Sequence, residues 1–183
     1  MNSHSTYPNS LIVGAVLVMV FSIAALGAQE QKPFALAALQ PKSSTTATGK
    51  VTFWKKRPDA VRIEVVVEKV TPGMHGIHLH EKGDCSSSDA KSAGEHYSPL
   101  AQNHGAPGVT GSHAGDLGNI KVEKNGRGKL SLDLNAKDEG VQAAWGDIVG
   151  KSVVLHASED DLKSQPSGNS GARIACGVIE AAK

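Results

Sequence analysis

Apolar and polar positions alternate along much of this chain, most clearly over Val61–Val67. In that run the apolar odd-numbered residues are separated by Arg62, Glu64 and Val66. Because successive side chains of a strand point to opposite faces, this alternation predicts a half-buried β-strand. Other short apolar runs bounded by turn residues predict strands at 34–39, 51–54, 76–80, 117–122, 129–134, 152–156 and 173–179.

The pattern predicts an all-β fold, since none of the apolar runs has the spacing of an amphipathic helix. Lys124-Asn125-Gly126 is a hairpin signal between two of the predicted strands. An aromatic content of 4% and 20 glycines also suit short strands joined by turns. We therefore expect an antiparallel sandwich or flattened barrel.

Two long segments, Glu81–Gly115 and Glu159–Ala172, interrupt this pattern and are irregular and rich in Gly, Ser and Asn. A long loop without secondary structure inside a compact domain usually has a function. The first segment holds three histidines and a cysteine, so we expect it to be functional and to be ordered by metal ions and a disulfide.

The N-terminal run Leu11–Ala28 is apolar apart from Ser22. We interpret residues 1–28 as an export signal, or alternatively as a retained N-terminal anchor, followed by a linker at 29–34 and one domain at 35–183. Residues 1–10 contain no Lys or Arg, which is unusual for an export signal. Both interpretations predict a domain outside the cytoplasm, either periplasmic or secreted, or anchored on the outer side of a membrane.

Charge and cysteine content narrow the class of protein further. The 183 residues include 19 Lys and Arg against 18 Asp and Glu, without a basic stripe, so we expect no nucleic-acid partner. Cys85 and Cys176 are the two cysteines. In an exported chain such a pair is expected to form a disulfide, the alternative being two buried free thiols.

The histidines are the main candidates for a functional site. Seven of the eight lie between His75 and His156. In a strand, His78 and His80 point to the same side with Leu79 opposite, which makes a chelating pair. His75 has the opposite parity and is interpreted as a packing and hydrogen-bonding residue. Imidazole and carboxylate ligands without thiolate suit zinc and copper. Further candidates follow at His96, His104, His113, Asp116 and His156, more than one ion can use, so we expect two sites.

These residues stand in segments that resemble the copper/zinc superoxide dismutase family, and most closely its bacterial exported branch. The segments are Gly76–His80, Ser92–Pro99, His104–Pro107, His113–Asn119, Gly150–His156 and Gly171–Ile179. The resemblance implies an eight-stranded antiparallel Greek-key sandwich or flattened barrel with two long functional loops. It also implies disproportionation of superoxide to dioxygen and hydrogen peroxide, and a possible homodimer.

The resemblance implies a role for each residue, with one copper and one zinc ion per subunit. Asp160 would join His78 and His104, Arg173 would guide the anion, and Cys85 and Cys176 would pair. His96 would be shared by both metals and carry a proton during catalysis. The implied copper ligands are His78, His80, His96 and His156, and the implied zinc ligands are His96, His104, His113 and Asp116.

Two departures from the family pattern stand out. Glu95 occupies a position before the shared His96 where small residues or Pro are usual, and Pro166 stands where eukaryotic members have a steering Lys. Three alternatives to the enzyme remain open: a copper-delivery or structural metal-binding relative, a zinc-only hydrolase-like site, and a copper-buffering protein. A copper-delivery or structural relative typically lacks a copper ligand or the Arg, whereas this chain has all four copper-ligand positions and Arg173.

Overall fold

A computed structural model describes residues 1, 32–57, 60–135 and 145–183. The residues from 32 onward belong to one unit, Gln31–Lys183. The export signal and most of the linker lie outside the described residues and stay predictions. Within the described ranges, no helix combines the length and the apolar character needed to cross a bilayer.

The described residues of the domain contain eight strands, each at a position predicted from the sequence, with bounds that differ by a few residues. The Asn125-Gly126 hairpin is confirmed, with Gly126 at φ 76° and its N–H donating to the carbonyl of Glu123. The strands are β1 (Ala35–Pro41), β2 (Thr48–Arg57), β3 (Ala60–Glu68), β4 (Gly73–His80), β5 (Asp116–Val122), β6 (Gly128–Asn135), β7 (Ser152–His156) and β8 (Arg173–Ala181).

The strands close into one antiparallel barrel in the order β1-β2-β3-β6-β5-β4-β7-β8, with β8 also paired to β1. Strands β4, β5 and β6 are consecutive neighbours, and β7 returns to lie beside β4, which is a Greek-key arrangement. The predicted all-β Greek-key fold is confirmed, and its form is a closed barrel.

Alternation along the strands fills the barrel. In β3, Ile63, Val65 and Val67 are buried in the core, whereas Glu64 and Val66 face solvent. Strands β4 and β7 differ, because Gly76–His80 and all of β7 are buried. The outer face of these two strands is covered by loop residues, so histidines there are shielded from water.

Two connections supply that cover, the β4–β5 connection and the β7–β8 connection. The β4–β5 connection contains a short 3₁₀ helix, Lys91–Ala93, and is tied to β8 by a disulfide between Cys85 and Cys176, with their Cα atoms 5.7 Å apart. The disulfide prediction is confirmed, and the alternative of two free thiols is wrong. Ala90, Ala93, Val154 and Cys176 form a small apolar cluster under this loop.

Candidate metal centre

Neighbouring strands place three of the predicted ligands on one surface. Leu79 packs in the barrel core, so His78 and His80 on either side of it point outward. His156 ends β7, which pairs with β4. The loop brings His96 alongside through an isolated bridge to His80, and the ring centroids of His78 and His96 are 3.9 Å apart.

These four histidines present their nitrogens to one point. One nitrogen of each ring lies in a group whose donor atoms are all within 4.8 Å of one another. In each of these four rings one buried nitrogen has no hydrogen-bond partner among the described residues, namely Nδ1 of His78 and Nε2 of His80, His96 and His156. Buried polar atoms normally find partners, so four unpaired nitrogens at one point fit a metal ion, and an all-nitrogen set suits copper.

In three of these rings, a hydrogen bond made by the other nitrogen fixes the tautomer. Nε2 of His78 donates to Asp160 Oδ2 (2.8 Å), Nδ1 of His80 to the carbonyl of Gly94 (2.9 Å), and Nδ1 of His156 to that of Gly171 (3.2 Å). A proton held on one nitrogen leaves a lone pair on the other. The surrounding structure therefore orients each ring for a metal on the same side.

A second donor set surrounds one oxygen of Asp116. Its Oδ1 lies 3.1 Å from Nδ1 of His96, 2.9 Å from Nδ1 of His104 and 3.3 Å from Nδ1 of His113. Neighbouring ligands of a tetrahedral zinc ion with bonds of about 2.0 Å lie about 3.3 Å apart. Three imidazoles and one carboxylate at this spacing fit a closed zinc site.

The backbone holds the Asp116 carboxylate in place. Its Oδ2 accepts hydrogen bonds from the N–H of Gly105 (2.8 Å) and of His113 (3.2 Å), which turns Oδ1 toward the rings. The group whose donor atoms all lie within 4.8 Å of one another contains His96, His104, Asp116 and, in place of His113, His78. Its Nε2, however, already donates to Asp160 and its Nδ1 serves the first set, so His113 is the better fourth ligand.

Asp160 connects the two donor sets. It is 1% exposed, and its second oxygen, Oδ1, accepts from Nε2 of His104 at 2.8 Å. Asp160 therefore accepts one hydrogen bond from His78 and one from His104. Gly168 is required beside it, because a Cβ there would overlap Asp160 Oδ1 and lie 2.6 Å from His104 Nε2, at a φ of +63° that disfavours other residues.

Burial favours the neutral form of the rings in the first donor set. It lowers the pKa of His78 and of His80 well below the ordinary value, and that of His156 to about 3, with neighbouring imidazoles adding to the effect. Burial alone would raise the pKa of Asp116, but contacts with His113, His96 and the Gly105 N–H outweigh it and hold the pKa below its usual range. Neutral imidazoles and an ionised carboxylate are the forms that bind metals.

Arg173 lies at the edge of the first donor set. It pairs with His156 across β7 and β8, and its charge contributes to the lowered pKa of both His80 and His156. Its Nη1 donates to the carbonyl of Ala90 at 3.0 Å, and its side chain is 16% exposed. A partly exposed guanidinium here can attract an anion toward the histidines.

A comparison with protein-family models matches residues 47–179 to the copper/zinc superoxide dismutase model. The chain belongs to the copper/zinc superoxide dismutase family. This match covers all the ligand positions described above. The more specific prediction, the bacterial exported branch, stays a prediction.

The relatives of this dismutase-family chain include copper chaperones for superoxide dismutase and Cu-Zn superoxide dismutases. It is 35% identical to a rat copper chaperone for superoxide dismutase over 84% of the chain, and spans only 56% of that relative's length. It is 40% identical to a Caulobacter vibrioides Cu-Zn superoxide dismutase over 67% of the chain and 73% of the relative. A crystal structure of the clock protein EA4 superposes with a TM-score of 0.69 at 34% identity, covering 82% of this chain and 96% of that one.

Sequence reasoning missed three polar residues that support the centre of this family member. Asn119 both accepts from the N–H of Asp160 and donates to its carbonyl, and Gln165 does the same for His104. The buried hydroxyl of Ser170 lies 3.0 Å from Nδ1 of His156. These contacts join residues that are 14 to 61 positions apart in the chain, so no local sequence pattern indicates them.

His75 has the structural position that its parity predicts. Its Nδ1 lies 2.9 Å from the carbonyl oxygen of His156 and its Nε2 lies 2.8 Å from that of Thr71. It therefore connects β4 to the backbone of a candidate ligand without facing the centre.

Proposed function

We propose that this protein is a copper/zinc superoxide dismutase, acting on superoxide outside the cytoplasm. The observation that carries the proposal is the convergence of four unpaired histidine nitrogens beside Arg173, with His96 reaching a second donor set through its other nitrogen. Two superoxide ions and two protons would become dioxygen and hydrogen peroxide. Membership of the family supports the same activity.

Copper held by His78, His80, His96 and His156 would supply the one-electron exchange, and zinc held by His96, His104, His113 and Asp116 a fixed positive charge. The chain's own residues would do the rest. Arg173 would attract the anion, the two loops would exclude bulk water, and Nε2 of His96 would hold or release a proton for the peroxide product.

The location and assembly of the protein are part of this proposal. The apolar run Leu11–Ala28 supports export to the periplasm or secretion, and a disulfide suits an oxidising compartment. A retained anchor is the alternative location. A homodimer is the proposed assembly, on the ground of the family alone.

The test is to load the full chain with copper and zinc and to measure superoxide loss. His156→Ala should abolish turnover and copper binding while zinc stays bound. Arg173→Ala should retain both metals but lower turnover and its dependence on ionic strength. Stoichiometric binding of both metals without superoxide consumption by the parent chain would overturn the proposal.

A second function, delivery of copper to another protein, is favoured by the relatives named copper chaperone for superoxide dismutase. The same loaded chain discriminates between the two. A delivery protein would lose copper to an acceptor protein and consume no superoxide, whereas the proposed enzyme would retain its copper through many turnovers.

A further inference from the structure

Glu95 stands beside the anion guide at the edge of the first donor set. Its Oε1 lies 3.9 Å from Nη2 of Arg173, and its side chain is 75% exposed. It directly precedes His96 in the chain. A carboxylate therefore stands one residue before a candidate ligand of both donor sets and next to the guanidinium.

The backbone fixes the position of Glu95. Its carbonyl accepts from the N–H of Glu81 at 3.0 Å, which attaches it to the end of β4, and its own N–H lies 3.4 Å from Oε1 of Glu81. The preceding residue, Gly94, accepts a hydrogen bond at its carbonyl from the ring of His80. The loop that positions the histidines therefore also holds the backbone of Glu95, from which the carboxylate reaches the surroundings of Arg173.

The separation of 3.9 Å between Glu95 and Arg173 is too long for a hydrogen bond. Glu95 therefore reduces the positive potential around the guanidinium without using its N–H donors. On the other side, Nη1 of Arg173 is held by the Ala90 carbonyl. An anion approaching the donor set thus meets an attractive charge and, next to it, a repulsive one.

We propose that Glu95 determines anion specificity at this face, weakening the binding of all anions and discriminating against those with two negative charges. The inference rests on the proposed function, in which Arg173 guides an anion. Coulomb repulsion is proportional to the charge of the approaching ion, so a dianion loses twice the binding free energy that a monoanion loses. A small monoanion such as superoxide would be favoured over sulfate or hydrogenphosphate.

The experiment measures anion binding to the copper- and zinc-loaded full chain at low ionic strength. Azide serves as the monoanion, followed by the Cu(II) absorption spectrum, and sulfate as the dianion, measured by its competition with azide. Glu95→Gln should tighten azide by about threefold, a typical size for an exposed charge pair. Sulfate should tighten by the square of that factor, about ninefold.

Two control variants separate a local effect from net charge and from a disturbed backbone. Glu123→Gln removes the same charge at the exposed β5–β6 turn, where Glu123 pairs with Lys121, and should change neither affinity. Glu95→Asp retains the charge and should resemble the parent chain. Added salt should reduce the effect of Glu95→Gln, because an exposed charge is screened.

The inference would be overturned if Glu95→Gln changed neither the azide affinity nor the sulfate affinity, or if it changed both by the same factor. A loaded chain whose copper spectrum does not respond to azide would also overturn it. Superoxide consumption is measured separately on the same samples. Turnover without any effect of Glu95→Gln overturns only this inference. The expected azide and sulfate shifts without turnover would support it and overturn only the proposed function.

Discussion

Nη1 of Arg173 donates a hydrogen bond to the carbonyl oxygen of Ala90, which lies 83 residues earlier in the chain. Ala90 belongs to the loop that the Cys85–Cys176 disulfide ties to β8, the strand that begins with Arg173. The position of Arg173 therefore depends on a covalent bond as well as on its own strand.

Replacing both Cys85 and Cys176 by Ser should destabilise the fold. With a sequence separation of 91, the chain-entropy model gives about 4–5 kcal/mol. For a domain of this size we expect a fall in Tm of roughly 10 °C, measured by calorimetry. As a control, a reducing agent should lower the Tm of the parent chain and leave that of the double variant unchanged. An unaltered Tm in the double variant would contradict the expectation.

Asp160→Asn should weaken metal retention. An amide can accept from only one of the two imidazole N–H groups, of His78 and His104, that the carboxylate now serves. Loss of such an outer partner lowers metal affinity by about 10–100-fold, measurable by competition with a chelator. The matched control is Asp161→Asn at the adjacent exposed acid, which should retain both metals as the parent does. Equal retention by the two variants would be evidence against the bridge.

Gly168→Ala should disturb the same bridge from the opposite side. The added methyl group would overlap the Asp160 carboxylate, and the residue would adopt a positive φ that Ala disfavours. We expect a lower Tm and faster loss of metal to a chelator. Gly146→Ala is the control, because no heavy atom lies within 4 Å of its Cβ position, and it should leave both properties unchanged. If the two variants behave alike, the close packing around Asp160 is not needed.

The metal-free chain should lose stability as the pH falls below 6.5. His156 has a folded pKa of about 3, lower than its unfolded value near 6.5, so the unfolded state binds more protons between these values. Stability therefore rises with pH across this window, by at most about 1.4 kcal/mol per pH unit for this one group. The depressed pKa values of His78 and His80 act in the same direction.

Urea denaturation of the metal-free chain at a series of pH values measures this slope. His156→Gln, which cannot titrate there, should show a smaller slope than the parent chain. Identical slopes in the two chains would show that the ring of His156 is not kept neutral by burial.

Local rules predict much of the fold and of the centre. The alternation around Val65 predicted which face of β3 is buried, because side-chain parity is a property of the strand itself. The same rule placed His78 and His80 together and His75 apart. The partners of Asp160 and the roles of Asp116, Arg173 and His96 came from the family resemblance, and the structure brings these residues together.

Other features could not be predicted because they depend on contacts between distant parts of the chain. Gln165 and Asn119 are ordinary polar residues in sequence, and only the folded loops bring them to the backbone of His104 and Asp160. The approach of Glu95 to Arg173 likewise requires the loop and β8 to meet. The closed barrel, rather than an open sandwich, depends on the pairing of β1 with β8.

That pairing of the first and last strands has a consequence for engineering the protein. The N–H of Ala182 donates to the carbonyl of Phe34, so the two ends of the barrel lie side by side. A short linker could join them, and new termini could be opened at the Asn125-Gly126 turn, away from both loops. Circular permutation should therefore preserve the histidine constellation, since its geometry depends on which strands are neighbours and not on where the chain starts.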